Sequence, residues 1–457
     1  MPSPAEFALP PLSAAPVSAA TRLAYVLRHF RLAYDPMPDV GIGYAAAQAA
    51  VTVADGAHDF FEQAQPYPPA PAWREWAGQS VPFFFDTAPT APLLDLSAGQ
   101  AVVNADVISA AFYLLSGWQE YFSPARDRHG RFPYAASVQQ RYGFVALPVV
   151  NYYFDVLKTA VEHVSGQALR PRPWREGAPF AAFISHDVDN LRSAWKAPAK
   201  AMLRQGKLLS FGKLLWHHAA RPDAWDNLEA VAAATARYGI KSTFFVLAEH
   251  RKGAEGIPNA DYVLSKTLRA RLAALREQGC ELASHGSIGT ATDGRRLRTE
   301  LRSLHRAPHG LRYHYLRWEP RQTPGVIDLE AVAYDSTLGF AEHFGFRNSC
   351  CLPFFPFDFA RAQAHAFLEI PLTVMDATLH HPNYLQLRPA DILPALQPMF
   401  AEIKKFGGVA TVLWHNENFD PANETNGPRQ FHELVAHLQQ QGADFCTGHE
   451  IYERFTA

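Results

Sequence analysis

The stretch Phe183-Ile184-Ser185-His186-Asp187-Val188-Asp189-Asn190 lies near the middle of a 457-residue chain and follows directly on Ala181-Ala182. Apolar residues fill consecutive positions up to Ile184 without helical spacing, which predicts a short strand buried on both faces. His186, Asp187 and Asp189 then crowd the place where that strand should end. In an extended chain Asp187 and Asp189 share one side, and His186 and Val188 the other. Two carboxylates so placed repel each other unless a proton, a cation or an arginine offsets them. At the C-terminal end of an α/β strand, such a pair is a candidate active site.

Working outward, the chain is long enough for two or more domains. Apolar content of 48% supports substantial cores, and charged content of 19% argues against a disordered solvating chain. A net charge of -2 gives no global pointer to nucleic acid or to an anionic membrane. Four cysteines are too few for a disulfide framework and are expected as buried thiols in a reducing compartment. The N-terminus lacks a positive start followed by a long apolar core, so no signal peptide and a cytoplasmic location are expected. No stretch approaches the apolar length of a membrane span.

Residues 1–20 are rich in Pro, Ala and Ser and are expected to be loose. From Thr21, a possible helix cap, to residue 172 the pattern predicts a compact α/β domain. It has a short helix at Arg22–Arg28, an edge strand at Ser80–Phe85, and helices at Asp106–Ser116 and Leu147–Val161. Residues 173–180, closing on Gly177-Ala178-Pro179, are expected as a linker into a second domain, residues 181–457.

That second half alternates strands and helices. Strands are expected at Lys241–Leu247, Cys280–Ser284, Leu311–Arg317, Phe367–Leu372 and Val409–Trp414. Helices are expected at Asn227–Tyr238, Leu264–Gln278, Leu297–His305, residues 390–404 and residues 429–442. Such repetition implies an α/β fold with a mostly parallel sheet or barrel. Residues 190–225 interrupt it with a basic stretch, Trp195 to His218, expected as a solvated helix pair or a flap. Polar residues recur at strand ends: Asp187 and Asp189, His285, Arg312 with His314 and Arg317, then His415 and Asn416. Their recurrence points to a site assembled from several βα loops. The Phe-rich segment Phe354-Phe355-Pro356-Phe357 suits either a sugar-stacking groove or ordinary packing.

In this order the motifs resemble the polysaccharide deacetylase family, the carbohydrate esterases with a NodB-type catalytic domain. Ser185-His186-Asp187-Val188-Asp189 resembles the first motif, and Glu281-Leu282-Ala283-Ser284-His285 the histidine-bearing second. Arg312 to Arg317 occupies the place of the third, Leu368-Glu369-Ile370-Pro371-Leu372 looks like the fourth, and Leu413-Trp414-His415-Asn416 resembles the last. The match is closest to a bacterial subfamily with His-Asp-Val-Asp and Trp-His-Asn signatures and an additional N-terminal α/β domain. The resemblance implies an irregular parallel (β/α) barrel of the NodB type over residues 181–457, with Asp187, Asp189, His285 and His415 around one cleft. It also implies a divalent metal, zinc first among candidates, and removal of N-acetyl groups from a bacterial polysaccharide or its precursor.

On that resemblance Asp187 is the general base, Asp189 and His285 are metal ligands, and His415 is the general acid. Arg312, Arg317, Glu369 and Asn416 are expected to bind substrate or to orient the others. One departure stands out: the family's second motif has another histidine four residues after the first, and here that position is Gly289. His314 from the next strand, Ser287, water, or His186 against its strand parity are the candidates to complete the ligand set. A histidine at position 289 is expected to strengthen metal binding if the local backbone matches the family. Two other functions fit the same residues: a noncatalytic carbohydrate-binding protein on a degenerate scaffold, and a deacylase of a non-sugar amide.

Overall fold

The computed structural model describes residues 14–44, 48–253, 256–304, 310–425 and 427–456. Most of residues 1–20, expected to be loose, and the His305 end of the expected helix lie outside the described residues.

The central strand, Phe180–Val188, is buried along its whole length. It pairs in parallel with Thr243–Leu247 on one side and with Val409–Leu413 on the other. Outward from Thr243–Leu247 the sheet continues through Glu281–Gly286, Gly310–Tyr313 and Tyr334–Asp335 to Leu368–Glu369. Outward from Val409–Leu413 it ends at Val374–Met375, while Ala443–Phe445 adds to the start of the central strand. All these pairings are parallel. Helices between the strands cover the sheet, which is why its central strands carry apolar residues on both faces.

The sheet is curled but open, which corrects the closed form of a barrel. Among the described residues its two edge strands do not pair with each other. They are consecutive in the chain, however, and the segment Ile370–Thr373 crosses between them. Glu369 and Val374 are therefore no more than about 18 Å apart, the reach of five extended residues. Pro371 lies in this crossing and has no N–H to donate, while Ile370 and Leu372 donate to the Asp335 and Leu338 carbonyls on one side and Thr373 to the Thr411 carbonyl on the other.

The N-terminal half carries its own four-stranded mixed sheet, in the order Ile42–Tyr44, Val51–Val53, Gln100–Val103, Leu94–Ser97. The helices Ala19–Ala33, Val107–Leu115 and Val149–Ser165 accompany it. The first helix is longer than expected and is capped by Ser18, whose side chain accepts from the Thr21 amide, so Thr21 is not the cap. Gln79–Phe83 pairs with Ala72–Trp76 in a hairpin. Its two turn residues, Ala77 and Gly78, both have positive φ, the conformation a two-residue turn of this hand requires.

The two halves share one apolar core. Between them Arg347 makes a two-pronged ion pair with Glu120, at 2.7 and 2.6 Å. Both side chains are buried, so removing one partner would cost about 3–5 kcal/mol. The Phe-rich segment and Phe359 pack here, and Phe357 and Phe359 also line a cleft of about 660 Å³. Phe357 meets Tyr25 and Phe112 edge-on, and Phe359 lies against Trp118 and Tyr121. All four cysteines are free and buried. Among the described residues no helix is long and apolar enough to cross a membrane.

Candidate active site

Asp187 sits near the end of the central strand, in register with Phe245 on the neighbouring strand. His285 lies opposite Leu247 on one side and opposite Arg312 on the other. The ends of the central strand and of the second and third strands beyond it thus bring Asp187, His285 and Arg312 to one rim of the sheet, with Asp189 and His314 just beyond. His186 points to the other face, as strand parity requires, and packs against Phe244, Phe419 and Phe431. Burial pushes its pKa down to about 4, so it is a neutral core histidine rather than a ligand.

Arg312 is fully buried and fixes Asp187. Its Nη1 donates to Asp187 Oδ1 and Ser185 Oγ, each at 2.9 Å, and Nε donates to the Ser336 carbonyl at 2.8 Å. The guanidinium also stacks over Phe245 at 4.2 Å. Asp187 Oδ2 remains on the His285 side, 3.5 Å from Nε2.

His285 Nδ1 is 2.8 Å from the Arg312 carbonyl, an acceptor, so Nδ1 carries a proton. Its Nε2 then faces Asp187 Oδ2 and, at 3.3 Å, Asp189 Oδ1. A neutral imidazole presents only a lone pair there, and lone pair against two carboxylates is repulsive. A proton or a cation must offset it. Burial disfavours the imidazolium, but the two acids outweigh burial and raise the His285 pKa.

Asp189 also faces His314 Nε2, 3.5 Å from Oδ2. Burial alone would raise its pKa, yet His314 and His285 hold the carboxyl well below the usual range. One donor atom from each of Asp189, His285 and His314 lies within 4.8 Å of the others. Asp189 Oδ1 and His314 Nδ1 are buried without a hydrogen-bond partner. Donors sharing one tetrahedral zinc with bonds of about 2.0–2.1 Å stand roughly 3.3–3.5 Å apart. One carboxylate and two imidazoles at these separations fit a divalent cation.

The expected strand Leu311–Arg317 ends early, at Tyr313, and His314–Leu316 form a tight turn. Tyr315 has φ of 59° and Leu316 of 53°, both unusual for side-chain-bearing residues and strained by roughly 1–3 kcal/mol each. The N-terminal half holds this turn. Arg131 donates to the Tyr315 carbonyl at 2.8 Å while paired with Asp127, and the His129 ring stacks on Tyr315 at 5.0 Å. Tyr315 and His314 are themselves in ring contact at 4.2 Å. Position 289 offers no substitute ligand: it carries no side chain, and its φ of 95° is a conformation that strains any residue other than glycine.

His415 approaches Asp189 Oδ2 with Nε2 at 3.7 Å. Its Nδ1 is 2.7 Å from Asp376 Oδ1, and its backbone amide donates to Asp376 Oδ2 at 2.6 Å. Burial works against the imidazolium, but the Asp376 charge more than compensates and raises the His415 pKa well above the ordinary value. Asp376 follows the edge strand Val374–Met375, which lies beyond the expected strand Phe367–Leu372 and was not anticipated. The acid directly after a short β run was its only sequence signal. Glu417, two residues after His415, was missed as well. Burial and the charge of Asp189 push its pKa up to about 7, and Asn190 donates to it.

Asp187, Asp189, His285, His314, His415 and Glu417 line a cleft of about 480 Å³, together with Arg128, His129 and Tyr384. Three other candidates stand elsewhere. Asn416 ties loops together, donating to the carbonyls of Asn190 and Trp225 at 2.9 Å each. Arg317 closes the His314 turn through its backbone amide and is not among the cleft-lining residues. Glu369 is buried at the sheet edge, opposite Asp335, and accepts from the Leu338 amide at 2.8 Å. Burial and the Asp335 charge raise its pKa, so the two acids share a proton.

The family of unknown function DUF7033 matches residues 23–165. No curated protein matches the chain. Among solved structures, a putative polysaccharide deacetylase from Mycobacterium smegmatis is similar at 15% identity, covering 63% of this chain and 93% of that one, with a TM-score of 0.42. A probable polysaccharide deacetylase from Pseudomonas aeruginosa PAO1 is similar at 14% identity over 63% and 94%, with a TM-score of 0.41. Puue allantoinase is similar at 13% identity over 63% and 94%, also with a TM-score of 0.41. Likenesses at this distance assign neither substrate nor reaction.

Proposed function

We propose that this protein is a divalent-metal-dependent hydrolase that removes N-acetyl groups from a bacterial carbohydrate or its precursor. The observation that carries this is His285. Its Nδ1 is committed to a carbonyl while Nε2 faces two buried carboxylates, beside His314 and a histidine held by its own acid. Asp189, His285 and His314 would hold the metal, with zinc the first candidate from the donor set. A cation bound there supplies Lewis-acid stabilisation of the oxyanion that develops on the acyl carbonyl. Asp187, with Oδ1 pinned by Arg312, keeps Oδ2 to accept a proton from the attacking water. His415, oriented by Asp376 and favoured as imidazolium, delivers a proton from Nε2 to the departing nitrogen. Arg312 positions the base rather than touching substrate.

In the same reading residues 21–172 form an accessory domain that supports the Tyr315 turn through Arg131. The buried free thiols suit a bacterial cytoplasm. Acetate release measured on zinc-loaded protein against N-acetyl sugars, nucleotide-linked sugar precursors and non-sugar amides tests the assignment. Release from a sugar substrate is expected. Release from the non-sugar amides alone would move the substrate class, and tight glycan binding with no release from any substrate would make this a binding protein.

A further inference from the structure

The chain leaving Asp189 runs into two helices, Lys196–Arg204 and Leu208–Ala220, which the site does not use. They add almost nothing to the core: Ala199 is the one buried residue of the first, and the second has none. Between Asn190 and Pro222 there is no acidic residue, whereas Lys196, Lys200, Arg204, Lys207, Lys213 and Arg221 are all present and exposed. None of these six makes an ion pair among the described residues. The hairpin is also the most apolar exposed part of the surface, with Leu209 88%, Leu208 67%, Trp216 66% and Leu203 49% exposed.

The two properties are arranged together. At about 100° per residue, Leu208, Leu209, Leu215 and Trp216 fall within an arc of roughly 120° on the second helix. Lys213 borders one edge of that arc with His217 beyond it, and the half-buried Phe211, Leu214 and His218 lie past the other edge. The base is anchored. Ala194 donates to Asp223 at 3.2 Å, and Trp195 stacks with His218 at 4.8 Å. A soluble helix turns its apolar arc inward; here the arc faces solvent with cations along its rim.

We infer that this hairpin docks the protein on an anionic phospholipid bilayer, Leu208, Leu209 and Trp216 entering the headgroup boundary while the lysines and arginines meet lipid phosphates. Unpartnered cations beside exposed Trp and Leu match an interface that is anionic outside and apolar just beneath. A nucleic acid would complement the cations but leave the leucines in water, since aliphatic side chains do not stack on bases. Neither helix is long and apolar enough to span, so the attachment is peripheral.

The full-length protein is sedimented with vesicles of phosphatidylcholine alone and of phosphatidylcholine mixed with phosphatidylglycerol. Binding to the mixed vesicles and not to the neutral ones is expected, falling as salt is raised. Lys200→Glu/Lys213→Glu and, separately, Leu209→Ser/Trp216→Ser should each lower the partition about tenfold or more, with the melting temperature unchanged because every substituted residue is exposed. Equal partition onto both vesicle types, or wild-type binding by both double variants, overturns the inference. So does a wild type that binds neither vesicle but forms a dimer that Leu209→Ser/Trp216→Ser dissolves, which would give the face to a second copy. Vesicle binding is read without turnover, so failure here leaves the hydrolase assignment untouched.

Discussion

Two histidines look at Asp189 from different strand ends, and they differ in what holds their Nδ1. His285 is tied to a backbone carbonyl, His415 to the carboxylate of Asp376. A carbonyl fixes the tautomer but adds no charge, so Nε2 stays a ligand lone pair that a cation can claim in competition with a proton. A buried carboxylate fixes the tautomer and stabilises the imidazolium, so Nε2 keeps a proton to give. In the proposed mechanism the tether, more than the histidine, would divide a metal side of the cleft from an acid side.

Asp187 belongs to the metal side without being needed to hold the ion. Asp187→Asn keeps the Arg312 contact and the shape but cannot take a proton. Acetate release should fall on the order of 10²–10⁴-fold, while zinc occupancy by metal analysis stays that of the wild type.

Removing the charge from the acid side should cost less and leave a signature in pH. The Asp376 carboxylate raises the His415 pKa, so the acid form persists at neutral pH and is lost only as pH rises through that raised value. Asp376→Asn removes the raising charge and leaves the burial that lowers it. The alkaline limb of the pH–rate profile should therefore move to lower pH, with turnover at neutral pH down about 10- to 100-fold. An unmoved limb would mean that another group limits the reaction.

The smallest effect is expected where the family pattern suggests the largest gain. Gly289→His should not raise zinc affinity in calorimetry, because position 289 has a positive φ of 95° that strains a side-chain-bearing residue. In the proposed site His314 would supply the second nitrogen. Tighter binding would show that the turn can reshape and that His314 is dispensable.

Much of this was legible in the chain because strand parity is a local rule. The run ending at Asp189 told which acids share a face and that His186 turns away, and the recurring polar strand ends marked one rim of the sheet. What stayed hidden depends on contacts between distant segments. Asp376 reaches His415 across 39 residues, and Arg131 holds the Tyr315 turn from 184 residues away. Glu369 misled because a motif acid at a strand end reads the same whether it faces the cleft or a second buried acid. The strained turn after Tyr313 was invisible to alternation, which reads His314 simply as the next strand residue.

The division between the two histidines is tested most directly by measuring zinc occupancy together with acetate release from an amide and from an activated ester, in His285→Ala and His415→Ala side by side. His285→Ala should lose the metal and both reactions. His415→Ala should keep full occupancy and lose amide hydrolysis while sparing much of the ester reaction, since a good leaving group needs little protonation. If His415→Ala lost the metal, or His285→Ala kept it and turned over the amide at the wild-type rate, the assignment of roles by tether would be wrong.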